Sequence, residues 1–234
     1  GDELHPLAKI KDFAPYVAKI KASGADTVVT GNWGSDIALL LKAAADANLQ
    51  VDWYTYYAGG AGGPTAIKQT GLKDRVFQIT EGFANINTKE NYAWEEDFRK
   101  KHAGHGWWYP RVRNEMQMLA RAMNEAKSNG PKVFVEKLRG MKHKNMYGKD
   151  TYMRAEDHQF FQDMYISALT PLTGDMKFDE ENTGWGWKLT EAKVEKAIRR
   201  NDIYECVFAE PNPKFNTYLP PAFNRLRVQF PGNH

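Results

Sequence analysis

Residues 24–63 decide the fold of this chain, with the sequence GADTVVTGNWGSDIALLLKAAADANLQVDWYTYYAGGAGG. Residues 26–30 are a short apolar run whose two adjacent valines suit a pleated strand, and residues 31–34 are too rich in glycine to continue it. Ser35 then stands where a helix N-cap is expected, followed by Asp36 in the favourable first turn. The apolar residues that follow at helical spacing are Ile37, Leu40, Leu41 and Ala44.

The second half of this stretch completes a strand–helix–strand unit. Asn48 can end the helix in the left-handed conformation, and residues 51–57 are a second strand dense in aromatic side chains. Two strands joined by a helix are expected to be parallel, with a right-handed crossover. The loops that follow them, residues 31–34 and 58–63, therefore lie at the carboxyl edge of the sheet, where ligands bind in open α/β folds.

The residues at this edge combine aromatic surfaces with a few polar groups. They include Asn32, Trp33, Tyr56 and Tyr57, a composition suited to a small organic ligand. Each aromatic taken singly is more often core or rim packing, but the group at this edge favours a binding site. The glycines that follow, Gly59 among them, let the backbone approach a ligand or another strand closely.

The rest of the chain changes character near residues 81–87. Before that point helices and strands alternate, as in a doubly wound α/β layer. The further elements predicted there are helices over residues 12–23, with Asp12 as N-cap, and 65–70, and a strand over residues 75–80.

After that point helices dominate. The elements predicted there are helices over residues 89–102, 111–127, 132–139 and 190–200, strands over residues 152–155 and 160–167, and a hairpin arm over residues 183–189. The apolar face of the longest helix is predicted to be Met116, Leu119, Ala120 and Met123. From residue 210 the chain is rich in proline and is expected to wrap over a surface.

Charge and composition exclude several classes of protein. A formal net charge of +3 without a basic stripe gives no reason to expect a nucleic-acid partner, and no apolar run is long enough to span a membrane. The first residues, GDELHPLAKIKDF, contain neither a signal-peptide core nor an initiating Met, so we expect a mature or truncated product. The one cysteine, Cys206, cannot form a disulfide within the chain.

Motifs for catalysis are weak. The glycines of residues 59–63 lack the Lys-Ser/Thr ending of a phosphate-binding loop, and a Gly-x-Ser-x-Gly nucleophile elbow is absent. The densest polar cluster, Arg154, Glu156, Asp157 and His158, could form an acid–base site, but an ion-pair network is the more usual outcome. We therefore expect binding without turnover, with no catalytic residue, no cofactor and no metal.

Three segments carry a resemblance to a known family. The run DFAPYVAKIKASGADTVVTGNWGSDIALLLKAAADANLQVDWYT, residues 12–55, resembles the second lobe of periplasmic solute-binding proteins of the branched-chain amino acid (Leu/Ile/Val-binding) class of ABC transporters. The runs MRAEDHQFFQDMYISAL and TGWGWKL, residues 153–169 and 183–189, resemble the last part of such chains. The likeness covers most of residues 5–200.

The resemblance implies an α/β fold like that of type I periplasmic binding proteins. Two doubly wound α/β lobes are joined by a hinge and close on a ligand between them. Residues 1–82 would be part of the second lobe, and residues 83–234 a helix-rich return into the first lobe, with hinge strands and a C-terminal tail. The first lobe would be only partly present, so a second polypeptide or a missing N-terminal segment would complete the fold.

The resemblance also implies a function: the ligand-binding component of an ABC importer, periplasmic, with a membrane permease as partner and a small-molecule ligand. By position, ligand contacts would come from Asn32 or Trp33 and from Tyr56 or Tyr57, with Gly59 beside them. Tyr109, next to Trp107 and Trp108, could line the cleft from the other side.

This sequence departs from amino-acid-binding members after the second strand. They have an acidic residue there for the ligand's ammonium group, whereas this chain has Tyr56-Tyr57-Ala58. An aromatic or other neutral-tailed carboxylate, or an amide, therefore fits better than a leucine-type ligand. Two alternatives stay open: a cytosolic amide or amino-acid sensor of the same fold, and an α/β enzyme using the Arg154–His158 cluster.

Overall fold

The computed structural model describes residues 1–102, 105–106 and 109–190 of the 234-residue chain. Its helices are α1 (Ala14–Ser23), α2 (Gly34–Asp46), α3 (Gly63–Thr70), α4 (Lys89–Lys101), α5 (Pro110–Ala126) and α6 (Pro131–Leu138). Its strands are β1 (Thr27–Thr30), β2 (Asp52–Thr55), β3 (Val76–Thr80), β4 (Lys142–Lys144), β5 (Asp150–Met153), β6 (Phe160–Phe161), β7 (Tyr165–Pro171) and β8 (Trp185–Leu189). Residues 191–200 of the last predicted helix, the proline-rich tail, Cys206, Trp107 and Trp108 fall outside this description.

A five-stranded sheet with the order β1-β2-β3-β7-β8 forms the centre of the fold. The first three strands are parallel, with Val28 opposite Trp53 and Trp53 opposite Val76. β7 and β8 then add in antiparallel fashion. The predicted α/β class and the parallel strand–helix–strand unit are confirmed. The sheet takes strands from both sides of the predicted division at residues 82 and 83, and that division stays a prediction.

The helix between the first two strands packs as its spacing predicts. Ile37, Leu40, Leu41 and Ala44 are all buried. Asn48 has a φ of 49° and so takes the left-handed conformation expected just after the helix. The predicted N-cap at Ser35 is wrong, because the carbonyl of Trp33 already accepts the Asp36 backbone N–H at 3.2 Å and the helix begins at Gly34.

The first helix begins two residues later than predicted. Phe13, not Asp12, is at its N-cap position, because the Asp12 carboxylate accepts from the Ala14 N–H within a turn that precedes the helix. Gly24 ends the helix with a φ of 68°, as its sequence indicates. Phe13 and Val17 join the main core, which also buries Trp53 and Trp187 completely or nearly so.

The face predicted to be buried on the longest helix is right only in part: Leu119 and Met123 are half-buried, and Leu119 packs against the small core cluster, but Met116 and Ala120 are exposed. In α5 the buried residues along the helix are Asn114, Met118 and Ala122. The buried face thus includes a polar residue, since the Asn114 side-chain oxygen accepts the Met146 backbone N–H at 3.1 Å. Counting apolar residues therefore found this face only in part.

A small antiparallel sheet, β4-β5-β6, follows the helices. The strand predicted over residues 160–167 is in fact two strands in different sheets, since β6 pairs with β5 while β7 pairs with β3. Sequence periodicity missed β4, whose residues Lys-His-Lys are polar and mostly exposed. The predicted hairpin arm is confirmed as β8, antiparallel to β7.

Candidate ligand-binding cleft

An open cleft of about 320 Å³ lies at the carboxyl ends of β1, β2 and β3. The residues that line it are Gly31, Trp33, Tyr56, Tyr57, Gln78, Thr80, Tyr109 and Arg111. The structure therefore brings together four of the six residues that the sequence and its resemblance single out, namely Trp33, Tyr56, Tyr57 and Tyr109. They come from three separate segments of the chain, two after parallel strands and one before α5.

The four aromatic side chains of the cleft are about half exposed. Their exposed fractions run from 46% for Tyr109 to 50% for Trp33. The rings of Tyr56 and Tyr57 are 6.4 Å apart and inclined at 54°, so their faces are not stacked on each other. A concave group of partly exposed aromatic rings is an incompletely buried apolar surface, and such surfaces on soluble proteins commonly mark binding sites.

Two predicted site residues lie outside the lining of the cleft. The Asn32 side-chain oxygen is 2.8 Å from His5 Nε2, and its backbone N–H donates to Thr30 Oγ1. This orientation directs the amide toward the N-terminal segment. Gly59 is buried against Gln78, and a Cβ at Gly59 would overlap the amide group of that side chain. Direct ligand contact by either residue stays a prediction.

The glycine loop is thus fitted to the neighbouring strand. Gln78 is 4% exposed and lies in β3, whereas Gly59 follows β2 by four residues. Because glycine lacks a Cβ, the loop can approach the Gln78 amide closely. The sequence left open whether these glycines approach a ligand or another strand. In the structure Gly59 approaches a strand, since it packs against Gln78 of β3.

Sequence reasoning missed two lining residues on β3. Gln78 and Thr80 share the buried face of β3 with Val76. Both line the cleft, at the carboxyl end of the strand. Polar residues at alternate, otherwise buried positions near the carboxyl end of a parallel strand are a usable signal. Gln78 Oε1 is buried against Gly59 and has no hydrogen-bond partner among the described residues, so this oxygen faces the glycine loop.

The cleft also carries a charged residue that the sequence did not single out. Arg111 lines it, and its guanidinium donates two hydrogen bonds to the carboxylate of Glu81, from Nε to Oε1 at 2.5 Å and from Nη2 to Oε2 at 3.1 Å. Thr80 Oγ1 donates a longer bond of 3.3 Å to the same carboxylate. The Glu81 charge is therefore already matched by a fork of two parallel bonds.

Comparison with known proteins identifies the family. The sequence profile of the family described as periplasmic binding protein matches residues 1–175. The chain belongs to the periplasmic binding protein family. The family and the fold predicted from sequence are thus confirmed.

Relatives of this periplasmic binding protein include a Brucella abortus (strain 2308) protein named Leu/Ile/Val-binding protein homolog 4. It is 34% identical over 176 residues, which are 71% of this chain and 41% of that protein. This chain therefore spans less than half the length of the curated relatives it matches.

Solved structures show the same fold. The Leu-, Ile-, Val-, Thr- and Ala-binding protein of Brucella ovis, in a closed conformation, superposes with a TM-score of 0.69 at 28% identity, over 80% of this chain and 48% of that one. An ABC-transporter solute-binding protein of Rhodopseudomonas palustris HaA2, solved with p-hydroxybenzoic acid, gives a TM-score of 0.60 at 19% identity, over 77% and 48%.

The polar cluster at residues 154–158 forms the ion pair that its composition favours. Arg154 donates to both carboxylate oxygens of Asp157, at 2.9 and 2.5 Å. The hydrogen bonds from Arg154 hold the pKa of the Asp157 carboxyl at about 2. His158 lies with its Nε2 3.2 Å from the Val135 carbonyl oxygen. Each of these side chains already has a partner within the turn or on α6.

Neither a metal centre nor a membrane-spanning helix is present in the part of the chain that the structure describes. It holds no group of three or more His, Cys, Asp or Glu side chains that could bind a metal ion. Among the same residues, no helix combines the length and the apolar character needed to cross a bilayer.

Proposed function

We propose that this periplasmic binding protein is the ligand-binding component of an ABC importer, and that its cleft binds a small aromatic or otherwise neutral-tailed carboxylate, or an amide. The observation that carries the proposal is the cleft at the carboxyl edge of the sheet, which four half-exposed aromatic side chains line together with an arginine and a buried glutamine. Aromatic surfaces with a few placed polar groups are the usual lining of a small-molecule site.

The charges around the cleft favour a ligand without an ammonium group. None of the eight described residues that line it is acidic, and the nearby Glu81 is already paired with Arg111. A free amino acid would leave its ammonium group without a counter-charge, which is costly in a partly desolvated site. A carboxylate can instead accept from the Arg111 guanidinium, which is 45% exposed and lines the cleft, and an amide can hydrogen-bond with the hydroxyls of the lining tyrosines.

The relatives support a range of ligands around this choice. One relative is named for leucine, isoleucine and valine, and a protein of the same fold was solved with p-hydroxybenzoic acid. The fold thus accommodates both aliphatic amino acids and aromatic acids. The residues of this cleft, rather than the family, favour the second kind.

The family supports a proposal for the wider role. We propose that the ligand is trapped between two lobes in the periplasm, that a membrane permease receives it, and that it is bound without chemical change. The exposed apolar residues Val112 and Met116 of α5 would then be covered by the remainder of the first lobe, since this chain spans only 41% of its curated relative.

A thermal-shift screen tests the proposal. The protein would be melted with benzoate, p-hydroxybenzoate, benzamide and L-leucine at increasing concentrations. Because a ligand that binds only the folded state raises the melting temperature, we expect the aromatic acids or the amide to raise it progressively. A larger shift with L-leucine would overturn the ligand class, and no shift with any of the four would count against the cleft as a site for these ligands.

A further inference from the structure

We propose that Glu181 is a positioning residue for the cleft. Its carboxylate fixes the glycine loop, residues 58–62, which connects the cleft tyrosines to α3. Its effect on ligand binding rests on the proposed function, but its effect on the loop does not. Glu181 is more than a hundred residues distant in sequence from the loop, and it lies in the turn between β7 and β8.

The Glu181 carboxylate accepts three hydrogen bonds at the beginning of α3. The Gly62 backbone N–H donates to Oε1 at 2.7 Å, and the Thr65 backbone N–H and hydroxyl donate to Oε2 at 3.0 and 2.6 Å. The Lys68 ammonium adds a fourth link, to the Thr183 carbonyl oxygen at 2.5 Å. The segment that contains Glu181 and Thr183 is therefore hydrogen-bonded to both the first and the second turn of α3.

The start of α3 needs such a partner. Its N-cap is Gly62, which has a φ of 88° and no side chain that could accept a hydrogen bond. The first N–H groups of a helix have no intrahelical acceptor, and the helix dipole favours a negative charge there. A capping side chain from the neighbouring residues ordinarily meets both needs, and here a distant carboxylate meets them.

The turn that presents Glu181 is held by several hydrogen bonds of its own. Glu181 and Asn182 both have positive φ values, 54° and 56°, which cost energy for residues other than glycine and persist where the surroundings enforce them. The Glu180 N–H donates to the Trp185 carbonyl at 2.7 Å, and the Thr183 N–H and hydroxyl both donate to the Glu180 carbonyl. The carboxylate is thus held in one place by a strained but well-bonded turn.

The glycine loop connects the Glu181 hydrogen bonds to the lining of the cleft. It folds tightly on itself, since the Gly63 N–H donates to the Gly60 carbonyl at 3.0 Å and a Cβ at Gly63 would overlap the Ala58 carbonyl. Gly59 in turn packs on Gln78, a lining residue. Tyr57 precedes this closed unit directly, so releasing its far end at Gly62 loosens the support of the cleft wall.

Hydrogen exchange on the ligand-free protein tests the restraint itself. In Glu181→Ala we expect the amides of residues 58–66 to exchange about tenfold faster or more, because local opening needs less free energy, while amides of β1 and α2 stay unchanged. Glu181→Gln keeps one acceptor oxygen and should fall between. The control is Glu136→Ala, whose carboxylate pairs with Arg139 on the exposed side of α6. Unchanged exchange at residues 58–66 in Glu181→Ala would overturn the proposal, and so would a uniform rise across the whole chain, which indicates general destabilisation.

Ligand titration then separates this inference from the proposed function. For a probe that the unmodified protein binds, such as p-hydroxybenzoate, the dissociation constant should rise about fivefold or more in Glu181→Ala, well below its melting temperature, and stay unchanged in Glu136→Ala. If the unmodified protein binds no probe, the proposed function fails while the exchange result still decides the role of Glu181. An unchanged dissociation constant in a variant with faster loop exchange would overturn the link to the cleft.

Discussion

Glu81 and Arg111 form a two-bonded ion pair between the end of β3 and the first turn of α5. The Glu81 side chain is only 7% exposed, whereas that of Arg111 is 45% exposed and lines the cleft. A buried carboxylate is thereby neutralised by a cation that still faces the ligand space. This one contact orients Arg111 and leaves the Glu81 carboxylate with a counter-charge.

Replacing Arg111 with methionine should destabilise the fold and weaken carboxylate binding. Glu81 would stay buried without its charged partner, so the free energy of unfolding should fall by about 2–3 kcal/mol. Arg75→Met is the matched control, because Arg75 pairs with Asp52 on the surface and such pairs contribute about 1 kcal/mol or less. Urea unfolding of both variants measures the difference. Equal losses of unfolding free energy in the two variants would show that the Glu81–Arg111 pair stabilises the fold no more than a surface pair does.

Replacing Gly59 with alanine should disturb the cleft through Gln78. The added methyl group would overlap the Gln78 amide, which must then move into the cleft or out of its packed position. We expect ligand affinity to fall by about threefold to tenfold. The double variant Gly59→Ala/Gln78→Ala removes the overlap, so it should recover the melting temperature lost in the single variant. A single variant with unchanged affinity and melting temperature would contradict the close fit of the loop on β3.

We predict that the Asn85 side chain holds the segment between β3 and α4 in place. Its amide nitrogen donates to the carbonyls of Phe178 and Trp187, and its oxygen accepts from the N–H groups of Lys177 and Phe178. Asn85→Ala leaves these buried backbone groups unpaired and should lower the free energy of unfolding by about 1–3 kcal/mol. Denaturant unfolding tests this prediction.

The exposed amide of Asn124 on α5 provides the control for Asn85. Asn124→Ala should change the free energy of unfolding by about 0.5 kcal/mol or less. If the two variants lose the same stability, the four hydrogen bonds of Asn85 do not hold the segment between β3 and α4 in place.

The stability of the protein should fall as the pH rises from about 5 to about 8. Burial, together with the neighbouring carboxylates of Glu95, Asp179 and Glu181, raises the pKa of Glu180 to about 8, although Arg99 opposes the shift. The folded pKa lies above the unfolded one, so the protonated group stabilises the fold fully below the unfolded pKa, and this stabilisation is lost as the pH rises through about 8.

Unfolding in urea at about pH 5, 7 and 9 measures this dependence. The Glu180→Gln variant should lose less free energy of unfolding than the unmodified protein between the lowest and the highest pH. The exposed Glu136→Gln variant should behave like the unmodified protein. Identical pH profiles for all three proteins would rule out Glu180 as the titrating group.

The cluster at residues 154–158 should be dispensable for ligand binding. His158 contacts the Val135 carbonyl, and Arg154 is paired with Asp157, in a turn that contributes no lining residue to the cleft. His158→Ala should therefore bind the same probe with the same dissociation constant, as isothermal calorimetry can show. Chemical conversion of the probe by the unmodified protein, abolished in this variant, would instead favour the enzyme alternative.

Much of the fold could be predicted because its strongest signals are local. Apolar spacing in α2 and the glycine that ends α1 depend on residues close in sequence, and both agree with the structure. Apolar spacing found the buried face of α5 only in part, since that face also holds Asn114, which accepts a hydrogen bond from the Met146 backbone N–H. A polar residue can belong to a buried face when its side chain satisfies a buried backbone group.

The residues of the candidate site also differ in whether local sequence or only the tertiary fold places them in the cleft. Trp33, Tyr56 and Tyr57 follow parallel strands directly, so strand prediction alone places them at one edge. Arg111 reaches the same cleft through a helix thirty residues beyond Glu81, and only the tertiary fold brings the two together. For Asn32, strand prediction gives the correct loop but not the orientation of the side chain, whose oxygen lies at hydrogen-bond distance from His5.

Calorimetric titration with p-hydroxybenzoate tests the central claim, that the aromatic cleft is the ligand site. The unmodified protein should bind the probe with a saturable heat, and Trp33→Ala and Tyr56→Ala should each weaken binding by about tenfold or more, since a half-exposed ring in the cleft loses its contact with the ligand. Tyr152→Ala, which removes a similarly exposed ring from β5, should bind like the unmodified protein. Binding that all three variants retain would contradict the assignment of the cleft.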